Sequence, residues 1–126
     1  MEPDTYEQLW TRTNDRLAYE LCCLPFFTYG IALGDEIAWN DTDRRAVVTR
    51  RSGRRLVRCA FADRKDAAAH HESFHGSVTA TGALVEFRGV GLASIDIDSD
   101  ERLDAVLAVL GPLHESGRAM WEWGSE

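Results

Sequence analysis

The stretch LASIDIDSDERLDAVLAVL, residues 92–110, changes its hydrophobic period part-way along. Residues 94–97 alternate polar and apolar as a β-strand does, whereas the second half of the stretch repeats with the period of an α-helix. Between the two, Asp98-Ser99-Asp100-Glu101 forms a capping box, in which side chains satisfy the free backbone N–H groups of a helix start. The buried stripe of this helix is predicted to consist of Leu103, Val106, Leu107 and Leu110. The stretch therefore predicts a strand that leads into an amphipathic helix, in a chain of mixed α and β structure.

The elements around this stretch follow the order of a split βαβ arrangement. We expect, in chain order, a strand at 56–61, a helix at 66–81, strands at 84–87 and 92–97, the helix just described and a last strand at 120–123. Gly82 ends the first helix, and Gly111-Pro112 bends or ends the second. The order β-α-β-β-α-β predicts a ferredoxin-like layer in the C-terminal half of the chain.

The N-terminal half is predicted to consist of short strands. They are expected at 7–13, 17–23, 36–40, 46–51 and 54–61. The last two strands are expected to form a hairpin around Ser52-Gly53. We therefore predict an α+β fold in a single compact domain, residues 1–126. In this fold a small half-barrel of short antiparallel strands (about residues 6–53) packs on the ferredoxin-like layer (about residues 54–124).

The apolar run LPFFTYGIALGD, residues 24–35, is broken by Pro25 and Gly30 and carries a pattern of its own. It resembles the signature IPFF-x-YG-x-x-x-GD of a bacterial family catalogued as domain of unknown function 4265. The likeness continues through RRSGRRLVRCAF, GLASIDID and ESGRAMWEWG, and spans roughly residues 6–124. The resemblance implies the fold and a bacterial origin but no activity. If the stretch borders a ligand groove, its walls are predicted to be Phe26, Phe27, Tyr29 and Trp39.

Charge is unevenly distributed along this acidic chain, whose formal net charge is −7. Half of the fourteen basic residues fall between Arg44 and Arg58, a stretch without an acid. Arg50, Arg51, Arg54 and Arg55 are expected to form a basic hairpin that docks an acidic protein or a phosphate backbone, or that simply blunts a sheet edge. The net charge argues against unaided binding to bulk nucleic acid, and the strands lack the paired aromatic residues that stack RNA bases. Nucleic acid therefore ranks below protein as a partner.

The motif His71-Glu72-Ser73-Phe74-His75 matches the HExxH pattern of zinc hydrolases. On a helix its two histidines lie one turn apart, and the glutamate can serve as general base. A zinc site also needs a third protein ligand, and only Glu86 and His114 are nearby candidates. A zinc-dependent hydrolase that uses His71 and His75 is thus an alternative hypothesis. The favoured interpretation is a structural helix without metal, cofactor or catalytic residues.

Small size and segregated charge favour a non-catalytic protein-binding module, for which fast electrostatic association is expected. One concrete form is an immunity protein that neutralises a cognate bacterial toxin. Its partner-binding acidic patch is predicted to comprise Asp96, Asp98, Asp100, Glu101 and Asp104. Trp121 and Trp123 are predicted to be aromatic anchors beside this patch. A regulatory or nucleic-acid-binding module that uses the basic hairpin is a further alternative.

The three cysteines form neither a disulfide framework nor a metal knuckle. Cys59 lies beside Arg58, where a reactive thiolate is conceivable, but a core position is favoured. The start of the chain lacks a basic segment with an apolar stretch behind it, and no apolar run reaches membrane-spanning length. These features predict a cytoplasmic protein without a membrane partner.

Overall fold

The computed structural model describes residues 7–125 and shows a mixed α+β fold with two antiparallel sheets and three helices in that range. Its elements are β1 (Thr11–Arg12), β2 (Tyr19–Leu21), β3 (Glu36–Asn40), β4 (Arg45–Arg50), β5 (Arg55–Phe61), α1 (Arg64–Ala69), α2 (His71–Ala80), β6 (Val85–Arg88), β7 (Leu92–Ile97), α3 (Asp100–Glu115) and β8 (Ala119–Ser125). Within the described residues, no helix combines the length and the apolar character that crossing a bilayer demands.

The N-terminal sheet is a meander of the four strands β1-β2-β3-β4. Its strands are short because turn residues interrupt the apolar pattern repeatedly. The longest pairing joins β3 and β4, where Ile37 lies opposite Val48 and Trp39 lies opposite Ala46. A small core gathers on one face of this sheet, around the buried side chains of Leu21, Cys23, Ile31 and Ile37.

The C-terminal sheet has the strand order β6-β7-β5-β8, and every neighbouring pair is antiparallel. Successive residues of a strand point to opposite faces. On the helix-covered face, Val57 and Cys59 of β5 join the main core with side chains of α2, α3, β7 and β8. On the other face, Leu56 and Arg58 are also buried. The central strand is therefore covered on both sides, and the cover on its second side comes from the N-terminal half of the chain.

The predicted hairpin between β4 and β5 is wrong, because β4 pairs with β3 and β5 pairs with β7 and β8. Ser52-Gly53 is the crossover between the two sheets. The buried carboxylate of Asp35 fixes this crossover, since its Oδ1 accepts the Ser52 N–H at 2.8 Å and its Oδ2 accepts the Ala32 N–H at 2.9 Å. A Ser-Gly pair suits a hairpin turn as well as a crossover between two sheets. The local sequence therefore does not reveal which strand lies beside β5.

The helical segment between β5 and β6 begins earlier than predicted and is broken in two. Asp63 is the N-cap of α1, with its side chain accepting the N–H groups of Lys65 and Asp66. At His70 the backbone leaves the helical region (φ −112°, ψ 16°) before α2 starts. Nδ1 of His70 lies 2.9 Å from a carboxylate oxygen of Asp66 and 3.0 Å from the backbone carbonyl oxygen of the same residue, so the His70 side chain contacts the last turn of α1.

The strand and helix at 92–110 follow the sequence prediction, except that the N-cap lies one residue after Asp98, the first residue of the predicted capping box. Ser99 is the N-cap of α3 and its hydroxyl accepts the N–H of Arg102. Val106 and Leu110 are fully buried in the main core. The helix continues past Pro112 to Glu115, and Leu113 in this last turn still packs against the core.

Gly91, just before β7, marks the closest approach between the sheet and α1. Its φ is +80°, and a Cβ placed there would lie 2.7 Å from the Cβ of Ala67 and 3.0 Å from the Cβ of Phe61. Only glycine combines this backbone conformation with so little space.

Candidate binding groove

Residues 24–34 lie across the face of the C-terminal sheet that the helices leave uncovered. The hydroxyl of Ser94 on β7 donates to the carbonyl oxygen of Pro25 at 2.6 Å. On β5, Nη1 of Arg58 donates to the carbonyl oxygen of Thr28 at 3.0 Å. The backbone N–H of Gly30 donates to the carbonyl oxygen of Gly124 on β8 at 2.8 Å. Side chains and backbone of the sheet thus hold an irregular segment in place.

The Phe-Phe-Thr turn in this segment closes around a single carboxylate. Glu7 accepts the backbone N–H groups of Phe26 at 2.6 Å, Phe27 at 3.2 Å and Thr28 at 2.8 Å, together with the Thr28 hydroxyl at 2.6 Å. Burial acts to raise the pKa of Glu7, but the hydrogen bonds from Thr28 and the backbone outweigh burial and lower this pKa. The ionised carboxylate therefore fixes the position of both phenylalanines.

A groove of about 500 Å³ opens where this segment ends and the strands continue. It is lined by Phe26, Phe27, Tyr29, Arg58, Cys59, Ala60, Leu92, Met120, Trp121 and Glu122. In the sheet register Ala60 lies between Leu92 on β7 and Met120 on β8, so small and apolar groups form its floor. Its volume falls within the range typical of ligand sites, which is about 300–1,000 Å³.

Arg58 is the buried charge of the groove, with only 3% of its surface exposed. While Nη1 is bonded to Thr28, Nε and Nη2 have no hydrogen-bond partner among residues 7–125. Oε1 of Glu122 lies 3.6 Å from Nε, beyond hydrogen-bonding distance. The ring of Tyr29 covers the guanidinium, with its centroid 4.2 Å from the central carbon. The guanidinium thus has one hydrogen bond for five N–H donors.

Tyr29 and Glu122 are coupled above this guanidinium. The Tyr29 hydroxyl donates to Oε1 of Glu122 at 2.6 Å, and this hydrogen bond raises the pKa of Tyr29. Glu122 is 53% exposed, so its carboxylate can turn into solvent. Tyr29 and Glu122 thus cover the Arg58 guanidinium, while the rest of the groove stays open.

Large apolar side chains form the rim of the groove and face solvent. Phe27 is 39% exposed, Tyr29 62% and Met120 64%. The guanidinium of Arg88 lies 4.9 Å from the centroid of the Phe27 ring, which places a second positive charge at the rim. Exposed apolar residues concentrated around one concavity make this groove a candidate for an interaction site.

The model of a protein family described as Domain of unknown function (DUF4265) matches residues 7–122 of the chain. The chain belongs to this family. The resemblance seen in the sequence is thereby confirmed. A crystal structure of a hypothetical protein from Neisseria gonorrhoeae superimposes on this DUF4265 chain with a TM-score of 0.71. The two are 14% identical, and the match covers 93% of this chain and 81% of the other, which shows a shared fold. A comparison with proteins of curated function finds no match.

Three of the four predicted groove residues of this DUF4265 chain line the observed groove, namely Phe26, Phe27 and Tyr29. Trp39 does not line it. It lies on β3 in the other sheet, where it is 57% exposed. Trp39 follows the signature closely in sequence, but its strand β3 belongs to the N-terminal sheet, whereas the groove lies on the C-terminal sheet.

Sequence reasoning missed the groove residues on the strands, of which Arg58 and Met120 matter most. Arg58 was grouped with the exposed arginines around it. The signal that could have separated it is its position within Leu56-Val57-Arg58-Cys59, since a nearly continuous apolar run is typical of a strand buried on both faces.

The predicted acidic patch needs one correction, because Asp96 is 2% exposed and forms an ion pair with Arg54. Burial raises the pKa of Asp96. The other four residues, Asp98, Asp100, Glu101 and Asp104, are exposed. They lie at the start of α3, at the opposite end of β7 from the groove.

Trp121 and Trp123 are half-buried and pack against the main core, with their rings 5.8 Å apart in an edge-to-face arrangement. Trp121 also lines the groove. The guanidinium of Arg55 lies 5.7 Å from the Trp123 ring and donates to Asp100 at 2.7 Å. Trp123 is therefore connected to the acidic residues, whereas Trp121 belongs to the groove.

The four arginines predicted to form a basic hairpin flank the crossover instead, and each forms an ion pair. The pairs are Arg50 with Glu36, Arg51 with Asp35, Arg54 with Asp96 and Arg55 with Asp100. This pairing compensates the positive charge on which a nucleic-acid surface would depend.

His71 and His75 of the HESFH motif lie together, with ring centroids 4.1 Å apart. His75 also stacks on Phe87, at 3.4 Å between centroids and 17° between planes. Burial and the neighbouring His71 lower the pKa of His75. Glu86 accepts the backbone N–H of Leu24 at 2.9 Å. Across residues 7–125, no three His, Cys, Asp or Glu side chains are grouped so that they could hold a metal ion.

Proposed function

We propose that this protein is a non-catalytic binding module whose groove receives an apolar side chain of a partner protein. The observation that carries the proposal is the concentration of solvent-facing Phe27, Tyr29 and Met120 around one 500 Å³ groove. Apolar surface of this kind is costly to leave in water, and about 25 cal/mol is recovered for each Å² that a partner covers. Interfaces take most of their binding energy from such anchors in pockets.

The exposed acids at the start of α3 support a role in steering the partner. Asp98, Asp100, Glu101 and Asp104 lie away from the groove, in a chain whose net charge is −7. Asp98 pairs with Arg102 and Asp100 with Arg55, so the steering charge of this patch comes mainly from Glu101 and Asp104. A partner with a basic surface would associate faster, while the groove would set the dissociation rate. One concrete form of the proposal is an immunity protein whose acidic end faces the basic cleft of a toxin.

We propose further that the N-terminal sheet β1-β2-β3-β4 forms a short-stranded half-barrel, and that it packs on a ferredoxin-like layer that contains the C-terminal sheet. We also propose that the protein resides in the cytoplasm. The strand order β6-β7-β5-β8 supports the layer, since a βαββαβ chain with split βαβ units arranges its strands in this order. The bulge between Glu36 and Ile37 supports curvature of the other sheet. The free thiols of Cys22, Cys23 and Cys59 are in keeping with a reducing compartment.

The test compares the partner bound by the wild-type protein with that bound by Met120→Asp. Tagged protein is incubated with a lysate of the source organism and, separately, with the product of the neighbouring gene. Retained proteins are then quantified by mass spectrometry. Leu84→Asp is the matched control, because Leu84 is 56% exposed but lies outside the groove.

We expect a partner that the wild-type protein and Leu84→Asp retain equally, and whose retention by Met120→Asp falls at least about tenfold. Burying a methionine contributes about 1.5–3 kcal/mol, and an aspartate in its place adds a desolvation cost. A partner retained equally by all three proteins would refute the groove as the binding site. Turnover of a substrate by the purified protein would refute the non-catalytic function.

A further inference from the structure

Arg58 presents an unusual pair of hydrogen-bond donors inside the groove. Only 3% of the Arg58 surface is exposed, yet Nε and Nη2 have no hydrogen-bond partner among the described residues. These two nitrogens lie on the same edge of the guanidinium, and that edge forms two parallel hydrogen bonds with a carboxylate. Leaving such donors buried and unpaired costs free energy, which a bound acceptor would recover.

We propose that this edge of Arg58 binds the C-terminal carboxylate of a partner protein, whose last side chain is apolar and enters the groove. This inference rests on the proposed protein-binding function and names the part of the partner that is recognised. It goes beyond a general apolar contact, because it requires a free chain end.

The groove favours a chain end over other carboxylates. A C-terminal residue carries its carboxylate and its side chain on the same Cα, so one residue places an anion at Arg58 and an apolar group against Phe26 and Met120. An internal aspartate or glutamate brings the anion without the apolar group. The exposed rim formed by Phe27, Tyr29 and Met120 indicates an occupant that extends out of the groove, as a peptide does and an enclosed small molecule does not.

The charges facing Arg58 set the conditions for binding. Glu122 lies 3.6 Å from Nε and accepts the Tyr29 hydroxyl, so it competes with an incoming carboxylate. Because Glu122 is half-exposed, it can move aside together with Tyr29. Arg88 stands at the rim beside Phe27 and attracts the anion. Removing the charge of Glu122 should therefore strengthen binding of a carboxylate.

The probes are N-acetylated pentapeptides that carry every residue type in turn at the last position. Each is synthesised once as the free acid and once as the C-terminal amide. Binding is measured by NMR titration of the full-length protein. We expect peptides with apolar last residues to bind as free acids about ten- to a hundredfold more tightly than as amides, since hydrogen bonds to a charged group have this value.

Two variants and a control separate recognition from folding. Arg58→Met should abolish the preference for the acid, and Glu122→Gln should increase the ratio of acid to amide affinity by about threefold or more, as expected when one nearby like charge is removed. Glu115→Gln makes the same change in net charge on α3, away from the groove, and should leave the ratio unchanged. If Arg58→Met does not fold, an increased ratio for Glu122→Gln beside an unchanged ratio for Glu115→Gln still decides the matter.

Equal binding of acids and amides would overturn the carboxylate inference, while the proposed apolar groove would stand. No binding of any free acid would overturn it as well, and the proposed function would then depend on the Met120→Asp result alone. If 3-phenylpropanoate binds and no peptide does, the occupant is a small carboxylic acid and the chain-end inference fails.

Discussion

Replacing Asp35 with alanine tests whether one buried carboxylate joins the two sheets. Asp35 is 1% exposed and accepts the N–H groups of Ala32 and Ser52 at 2.9 and 2.8 Å. Each hydrogen bond to a charged acceptor contributes about 1.5–3 kcal/mol, and the fully buried Ala32 N–H would be left without an acceptor. The ion pair with Arg51 adds little, because Arg51 is 60% exposed. We therefore expect a loss of about 4 kcal/mol.

Urea unfolding measures this loss. With a denaturant slope of about 2 kcal/mol/M, Asp35→Ala should lower the midpoint by about 2 M. Asp35→Asn should fall between the two proteins, since its amide oxygen keeps one hydrogen bond while its NH₂ faces the other donor. The control Asp41→Ala, at an exposed turn position, should change stability by less than about 0.5 kcal/mol. A loss below about 1 kcal/mol for Asp35→Ala would refute the argument that this carboxylate fixes the crossover.

Three further predictions concern the helix-covered side and the thiols. Gly91→Ala should destabilise the protein by about 2–4 kcal/mol in the same assay, through left-handed strain and overlap with α1, and a neutral result would contradict that close approach. Hydrogen bonds from Arg118 lower the pKa of Asp66 in the folded protein. The stabilisation that they provide is therefore present above about pH 4, which is the pKa of Asp66 in the unfolded chain, and it is lost as the pH falls through the lower pKa of the folded protein. Arg118→Met should therefore flatten the acid side of the stability profile, whereas an unchanged profile would show that the pair contributes nothing. Burial raises the pKa of Cys59 to about 12, so a thiol reagent at neutral pH should label exposed Cys22 and spare Cys59 until the protein unfolds; native labelling of Cys59 would show that its strand opens.

The elements that sequence alone predicted best are those with local causes. The strand and helix at 92–110 follow from a change in hydrophobic period and from a capping segment at 98–101, in which Ser99 rather than Asp98 is the N-cap. Both signals lie within a few residues of the structure that they specify. The fold class was accessible for the same reason, since the order of helices and strands can be read without knowing which strands pair.

That β4 and β5 do not pair was not accessible from the sequence, because the true partners of β5 are distant in the chain. β5 pairs with β7 and β8, more than thirty residues away along the sequence, and a two-residue turn at Ser52-Gly53 does not report this. What decides the crossover is the Asp35 carboxylate. Its pairing with Ser52 depends on the folded arrangement of both sheets.

The groove could be predicted from the sequence only in part, because some of its residues are neighbours in the chain and others are not. Phe26, Phe27 and Tyr29 could be proposed because they fall in one distinctive stretch, whereas Arg58 and Met120 come from separate strands that only the sheet brings together. An arginine in a charged sequence is normally exposed, and burial of Arg58 arises from the segment laid over it.

The same segment explains why a structural cover and an open groove occur together. Residues 24–34 bury one face of the central strand but do not reach its far end, where Ala60 and Met120 stay exposed. A packing arrangement selected for stability alone would fill this gap and would place an apolar residue where Arg58 lies, because a buried cation with unpaired donors weakens the fold. Local rules of this kind are broken chiefly at functional sites, where a ligand supplies the missing contacts. An uncovered apolar floor beside a guanidinium with two donors that lack hydrogen bonds therefore supports the proposal that the groove has an occupant.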